Sequence, residues 1–154
     1  MRTAYPHSPS FGIGRAAAFV TQASASRQKE SDDVKSILIV EDDFLAASEM
    51  EAALLEAGFA VAGIANRAEE AVRLAKSQKP ALAIMDIRLI GRPDGIDTAI
   101  QIFRETGIRS IFATAHNDAR MRARALPASP LGWLPKPFAP HALVAMVRRA
   151  LTEL

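Results

Sequence analysis

Short apolar runs alternate along the chain with longer stretches whose apolar residues recur every three or four positions. The short runs are "SILIV" (36–40), "AVAGIA" (60–65), "ALAIM" (81–85), "IRSIFAT" (108–114) and "LGWLP" (131–135). Each reads as a strand. The longer stretches are "FLAASEMEAALLEAGF" (44–59), "NRAEEAVRLAKSQKP" (66–80), residues 94–106, "NDARMRARAL" (117–126) and "PHALVAMVRRALTEL" (140–154). These read as helices. Asp43 and Asn66 are residue types that cap a helix start, Gly58 can end the first helix, and Pro140 opens the last. Pro127 and Pro130 keep the fourth helix short. Strands that are apolar without strict alternation fit a parallel sheet covered on both faces. The pattern therefore predicts an α/β sandwich of five strand–helix pairs, with ligand chemistry beyond the carboxyl ends of the strands.

Residues 1–35 break this pattern. They are rich in Ser, Ala and Arg and hold five Lys/Arg against three Asp/Glu. They read as a flexible extension, and residues 36–154 as the single folded domain. That domain holds 14 Lys/Arg and 14 Asp/Glu, so a basic face for duplex DNA is not implied. Arg120, Arg122 and Arg124 read as a solvated helix face. The chain has no cysteine, which excludes disulfides and thiolate metal sites. No apolar stretch approaches the length of a bilayer span. A soluble protein is expected, with no nucleic acid or membrane partner.

The polar residues gather at one end of the expected strands. Glu41, Asp42 and Asp43 follow the first, Asp86 the third, Thr114 ends the fourth, and Lys136 lies just after the fifth. Clustered carboxylates repel unless a cation sits among them. Oxygen ligands without histidine favour Mg²⁺ or Mn²⁺ over zinc. A lysine neutralises an anion there, and a threonine hydroxyl donates to it. This set suits transfer of a phosphoryl group onto Asp86. Asp43 reads better as a helix cap than as a ligand.

These residues resemble the receiver domain of two-component response regulators. The acidic pair of that family is matched by Glu41 and Asp42 in "ILIVEDD", and its phosphoacceptor by Asp86 in "AIMDIRL". Its hydroxyl residue is matched by Thr114 in "IFATAH", and its lysine by Lys136 in "GWLPKPF". The resemblance implies a flavodoxin-like fold with strand order 2-1-3-4-5. It implies Mg²⁺ held by Glu41, Asp42, Asp86 and the backbone carbonyl of Arg88, with Mn²⁺ as the substitute. It places the switch aromatic at Trp133, where tyrosine or phenylalanine is commoner. "FATAH" is similar to the FAT-Gly/Ala-Tyr pattern of single-domain alphaproteobacterial receivers, with His116 in place of the tyrosine.

The implied phosphodonor is a sensor histidine kinase of the HWE or a related class, in the cytoplasm. The implied output is contact with a downstream protein or phosphotransfer protein, or service as a phosphate sink. The oligomeric expectation is a monomer or a weak homodimer through helix four, strand five and helix five. No DNA-binding output module is expected after "ALTEL".

Two rival readings remain. A receiver-like interaction module would share the fold and never be phosphorylated. A phosphatase of the haloacid dehalogenase kind would be a true enzyme, but needs a second aspartate two residues after the nucleophile. Here that residue is Arg88, which cannot protonate a leaving group. The expected protein is accordingly no enzyme beyond self-catalysed phosphoryl transfer and dephosphorylation.

Overall fold

A computed structural model describes residues 34–154 apart from Asn117. The extension expected over residues 1–35 lies outside the described residues, except for Val34 and Lys35. The elements follow the expected alternation: β1 (Ser36–Val40), α1 (Phe44–Glu56), β2 (Ala60–Ala65), α2 (Ala68–Gln78), β3 (Leu82–Asp86) and α3 (Gly95–Thr106). Then come β4 (Ser110–Thr114), α4 (Ala119–Ala125), a 3₁₀ turn (Leu126–Ala128), β5 (Gly132–Pro135) and α5 (Pro140–Leu151).

All five strands are parallel, in the order β2-β1-β3-β4-β5. The chain moves from β1 outward to β2, then returns past β1 to β3. Between β1 and β3 the direction of winding reverses, which opens a crevice at their carboxyl ends. Val40 pairs with Met85, Asp86 with Ala113, and Thr114 with Pro135. This register carries the ends of β1, β3, β4 and β5 to one edge.

The sheet buries both faces. Leu38, Val40, Met85 and Phe112 pack under α2 and α3 with Val72, Ile96 and Ile102. Ile37, Ile39, Ile84 and Ile111 pack under α1 and α5 with Met50, Leu54, Leu143 and Val147. Neighbouring residues on each strand thus serve opposite cores, which is why the strands show no polar face.

The caps are only partly as expected. Asp43 caps α1 by accepting the Ala46 N–H at 3.0 Å. Gly58, at φ +88°, follows the end of α1 in the left-handed region that glycine favours. Pro140 occupies the first turn of α5. Asn66 is not the cap of α2. That place falls to Arg67, which makes no side-chain capping bond, while the Asn66 backbone N–H donates to Glu70 Oε2 at 3.3 Å. Asp86 is the last residue of β3 itself rather than the one after it, paired with Ala113 of β4.

Candidate functional site

Glu41 leaves β1 and turns inward, with 1% of its side chain exposed. Its Oε2 lies 2.5 Å from Lys136 Nζ, and its Oε1 accepts the Asp43 N–H at 3.2 Å. Lys136 also faces Asp86, its Nζ 3.6 Å from Oδ1. The lysine is therefore shared between two buried carboxylates, with Glu41 holding the shorter contact. The same Asp86 Oδ1 accepts the Arg88 N–H at 3.3 Å. Asp42 reaches across the crevice, where its Oδ2 accepts the Ile90 N–H at 3.0 Å and ties β1 to the loop after β3.

Ligand oxygens of Glu41, Asp42 and Asp86 all lie within 4.8 Å of one another. One ammonium meets two of these three carboxylates. Burial pushes the Glu41 carboxyl above its ordinary value, the Lys136 hydrogen bond opposes this, and the Asp86 charge adds to the rise. An all-oxygen donor set with excess negative charge in a crevice fits a hard divalent cation such as Mg²⁺. Asp43, committed to the α1 cap, stands outside that set.

Thr114 is buried at the end of β4, one strand from Asp86. Its hydroxyl donates to the His116 carbonyl at 3.0 Å and accepts the His116 N–H at 3.2 Å. The hydroxyl is thus engaged in its own loop. Arg88 is exposed, and its Nη2 donates to His116 Nε2 at 3.4 Å, bridging the loops after β3 and β4. Trp133 stacks on Phe112 with ring centroids 4.8 Å apart and planes at 25°.

The structure brings Glu41, Asp42, Asp86 and Lys136 into one cluster and sets Thr114 and Arg88 on its rim. Trp133 lies on the face of the sheet that carries Phe112, removed from the acidic cluster. The sequence reading missed three ties: Asp42 to Ile90, Arg88 to His116, and the arginines of α4. Arg124 Nη2 bonds Asp94 Oδ1 at 2.7 Å, and the Arg122 guanidinium carbon sits 5.3 Å from the Trp133 ring centroid. These two are not a merely solvated face. Oppositely charged or aromatic partners far along the chain leave no local pattern that could reveal such contacts.

Residues 37–148 match the response regulator receiver domain family. The transcriptional regulatory protein PdtaR of Mycobacterium tuberculosis is 33% identical over 119 residues, covering 77% of this chain and 58% of that protein. The phyllosphere-induced regulator PhyR of Methylorubrum extorquens is 31% identical over 128 residues, covering 82% of this chain and 47% of that protein. The chain thus spans about half the length of these relatives. Among solved structures, the signal receiver domain of a modulated diguanylate cyclase from Desulfovibrio desulfuricans G20 superposes with a TM-score of 0.73 at 36% identity. It covers 79% of this chain and 96% of its own.

Proposed function

Since the chain belongs to the response regulator receiver domain family, we propose that its acidic crevice is a phosphoacceptor site with Asp86 as the acceptor. The observation that carries this reading is the sharing of Lys136 between Glu41 and Asp86 beside three clustered carboxylates. Asp86 Oδ1 has two partners, whereas Oδ2 has no hydrogen bond among the described residues. Oδ2 is the nucleophile. It bonds to phosphorus as the P–N bond of a kinase phosphohistidine breaks, and the bonding pair returns to the imidazole nitrogen.

Mg²⁺, with Mn²⁺ as substitute, would be held by Glu41, Asp42, Asp86 and the Arg88 carbonyl. When bound it screens the phosphoryl oxygens. Lys136 supplies the protein's own positive charge to those oxygens. Glu41 holds it in readiness and releases it as negative charge grows at Asp86. Thr114 exchanges its bonds to His116 for one to a phosphoryl oxygen. The rearranged loop after β4 then alters the face made by α4, β5 and α5, with Trp133 as its switch.

The donor is a sensor histidine kinase of the HWE or a related class in the cytoplasm. The readers are a downstream protein or a phosphotransfer protein, or the group is simply drained as from a sink. Among the described residues no helix is long and apolar enough to cross a membrane.

Intact mass after incubation with acetyl phosphate and Mg²⁺ tests the reading. The wild type should gain one phosphoryl group, and Asp86→Asn or omission of Mg²⁺ should abolish the gain. A wild type that stays unlabelled by acetyl phosphate and by purified histidine kinases gives the fold to the constitutive interaction module instead.

A further inference from the structure

We propose that α4 is a mechanical link between the phosphoacceptor strand and Trp133, running through Arg124 and Arg122 and bypassing Thr114. The link rests on the proposed function for what drives it. Its existence rests on contacts alone.

The link starts at the backbone of Asp86. Gly95 opens α3 with its N–H donating to the Ile87 carbonyl at 2.9 Å. A Cβ built on Gly95 would lie 1.8 Å from the Asp86 carbonyl oxygen, so no side chain fits between α3 and the end of β3. The start of α3 thus packs directly on the backbone of the phosphoacceptor strand. Asp94, just before, caps α3: its Oδ1 accepts the N–H groups of Ile96 and Asp97, each at 3.0 Å. That same oxygen takes Arg124 Nη2 at 2.7 Å, and Asp97 Oδ1 lies 2.9 Å from the same nitrogen. The cap of α3 is therefore also the anchor of α4.

Helix geometry carries the link onward. Residues two apart on an α-helix project about 200° apart. Arg124 and Arg122 thus leave α4 on opposite sides, one toward α3 and the other toward β5. The Arg122 guanidinium lies over Trp133, which in turn stacks on Phe112 of β4. The apolar anchor of the helix itself is small. Of its seven residues only Ala125 is buried, with Met121 partly buried against the same core. A short helix with so small an apolar anchor depends on its charged contacts for position. A shift at the end of β3 would pull Asp94, then Arg124, then α4, and finally the cation that rests on Trp133. Conversely, Trp133 cannot leave Phe112 without giving up Arg122.

Trp133 is the only tryptophan in the chain, so fluorescence reads one position. The first arm measures acrylamide quenching of the full chain without phosphodonor, with circular dichroism confirming that each variant is folded. R122A should raise the quenching constant about twofold, and R124A should raise it by a smaller factor although its contacts are with α3. Arg120, exposed on the same helix, supplies the control R120A, which should match the wild type. R124K keeps a cation for Asp94 and should return toward the wild type. Quenching in R124A equal to the wild type overturns the link and reduces Arg122 to a local contact.

The second arm adds acetyl phosphate and Mg²⁺, with the phosphoryl gain confirmed by mass. The phosphorylated wild type should shift its emission, and phosphorylated R124A should show about half that shift or less. A labelled R124A with the full shift overturns the link. A wild type that takes up no phosphoryl group from acetyl phosphate or from purified histidine kinases overturns the proposed function instead, while the quenching arm still decides the link.

Discussion

Two lysine–glutamate pairs of equal length sit in opposite surroundings. Lys136 Nζ and Glu41 Oε2 are 2.5 Å apart at the carboxyl edge of the sheet, and Lys76 Nζ and Glu105 Oε2 are 2.5 Å apart on the outside of α2 and α3. The Glu41 side chain is 1% exposed and that of Glu105 36%. Burial holds the Glu41 carboxyl above its ordinary value despite its lysine, whereas the Lys76 hydrogen bond, helped by Gln101, holds Glu105 below. Geometry is shared, so solvent decides. Water satisfies the outer pair whether or not the partners meet. The inner pair has no such recourse, and with Asp86 and Asp42 beside it the crevice retains a demand for positive charge. That demand is what a site for a metal and an anion requires.

The largest expected effect follows from removing the inner lysine. Lys136→Met leaves Glu41 buried without its ion-pair partner and three carboxylates with no ammonium. Breaking a buried pair is costly, and because Lys136 is partly exposed we expect a loss of about 2 kcal/mol in denaturant unfolding. A loss below about 0.5 kcal/mol would place the inner pair with ordinary surface pairs and end the comparison.

A smaller effect should come from supplying the missing charge. Mg²⁺ should raise the unfolding free energy of the wild type by about 1.4 kcal/mol at ten times its dissociation constant. Asp86→Asn should lose most of that gain, and changes at Lys76 or Glu105 should leave it intact. No rise at saturating Mg²⁺ in the wild type would deny the crevice its cation.

The pattern of apolar runs sufficed for the architecture. β1 and β2 begin and end where the sequence placed them, because two core layers, each taking alternate residues of a strand, together favour apolar residues along its length. The polar residues of the site were legible for the same reason, since an acid or lysine at the tip of such a run has no packing role. Asn66 misled because capping depends on backbone direction at the helix start, and the chain enters α2 one residue later than composition suggests. Arg122 and Arg124 misled because a surface arginine looks the same in sequence whether its partner is water, Trp133 or Asp94. Strand order, too, came from resemblance rather than pattern, since periodicity says nothing about which strand lies beside which.

The smallest expected effect is the sharpest test of the comparison, since it depends only on sign. Glu105 has a folded-state value below the ordinary 4.5, so its stabilising contribution is fully present at neutral pH and is lost as pH falls below 4.5. Lys76→Gln should therefore differ slightly from the wild type at neutral pH and converge with it in acid. High salt should also erase the difference. Glu41 has a folded-state value above 4.5, so its ionisation weighs against the fold as pH rises from 4.5 upward. In Mg²⁺-free buffer, Glu41→Gln should gain on the wild type over that rise, while Lys76→Gln falls behind it. The two difference profiles, taken from denaturant midpoints between pH 3 and about 7, must slope in opposite directions. Profiles sloping the same way would mean that burial is not what separates the two pairs, and that Glu41 shares the solvated character of Glu105.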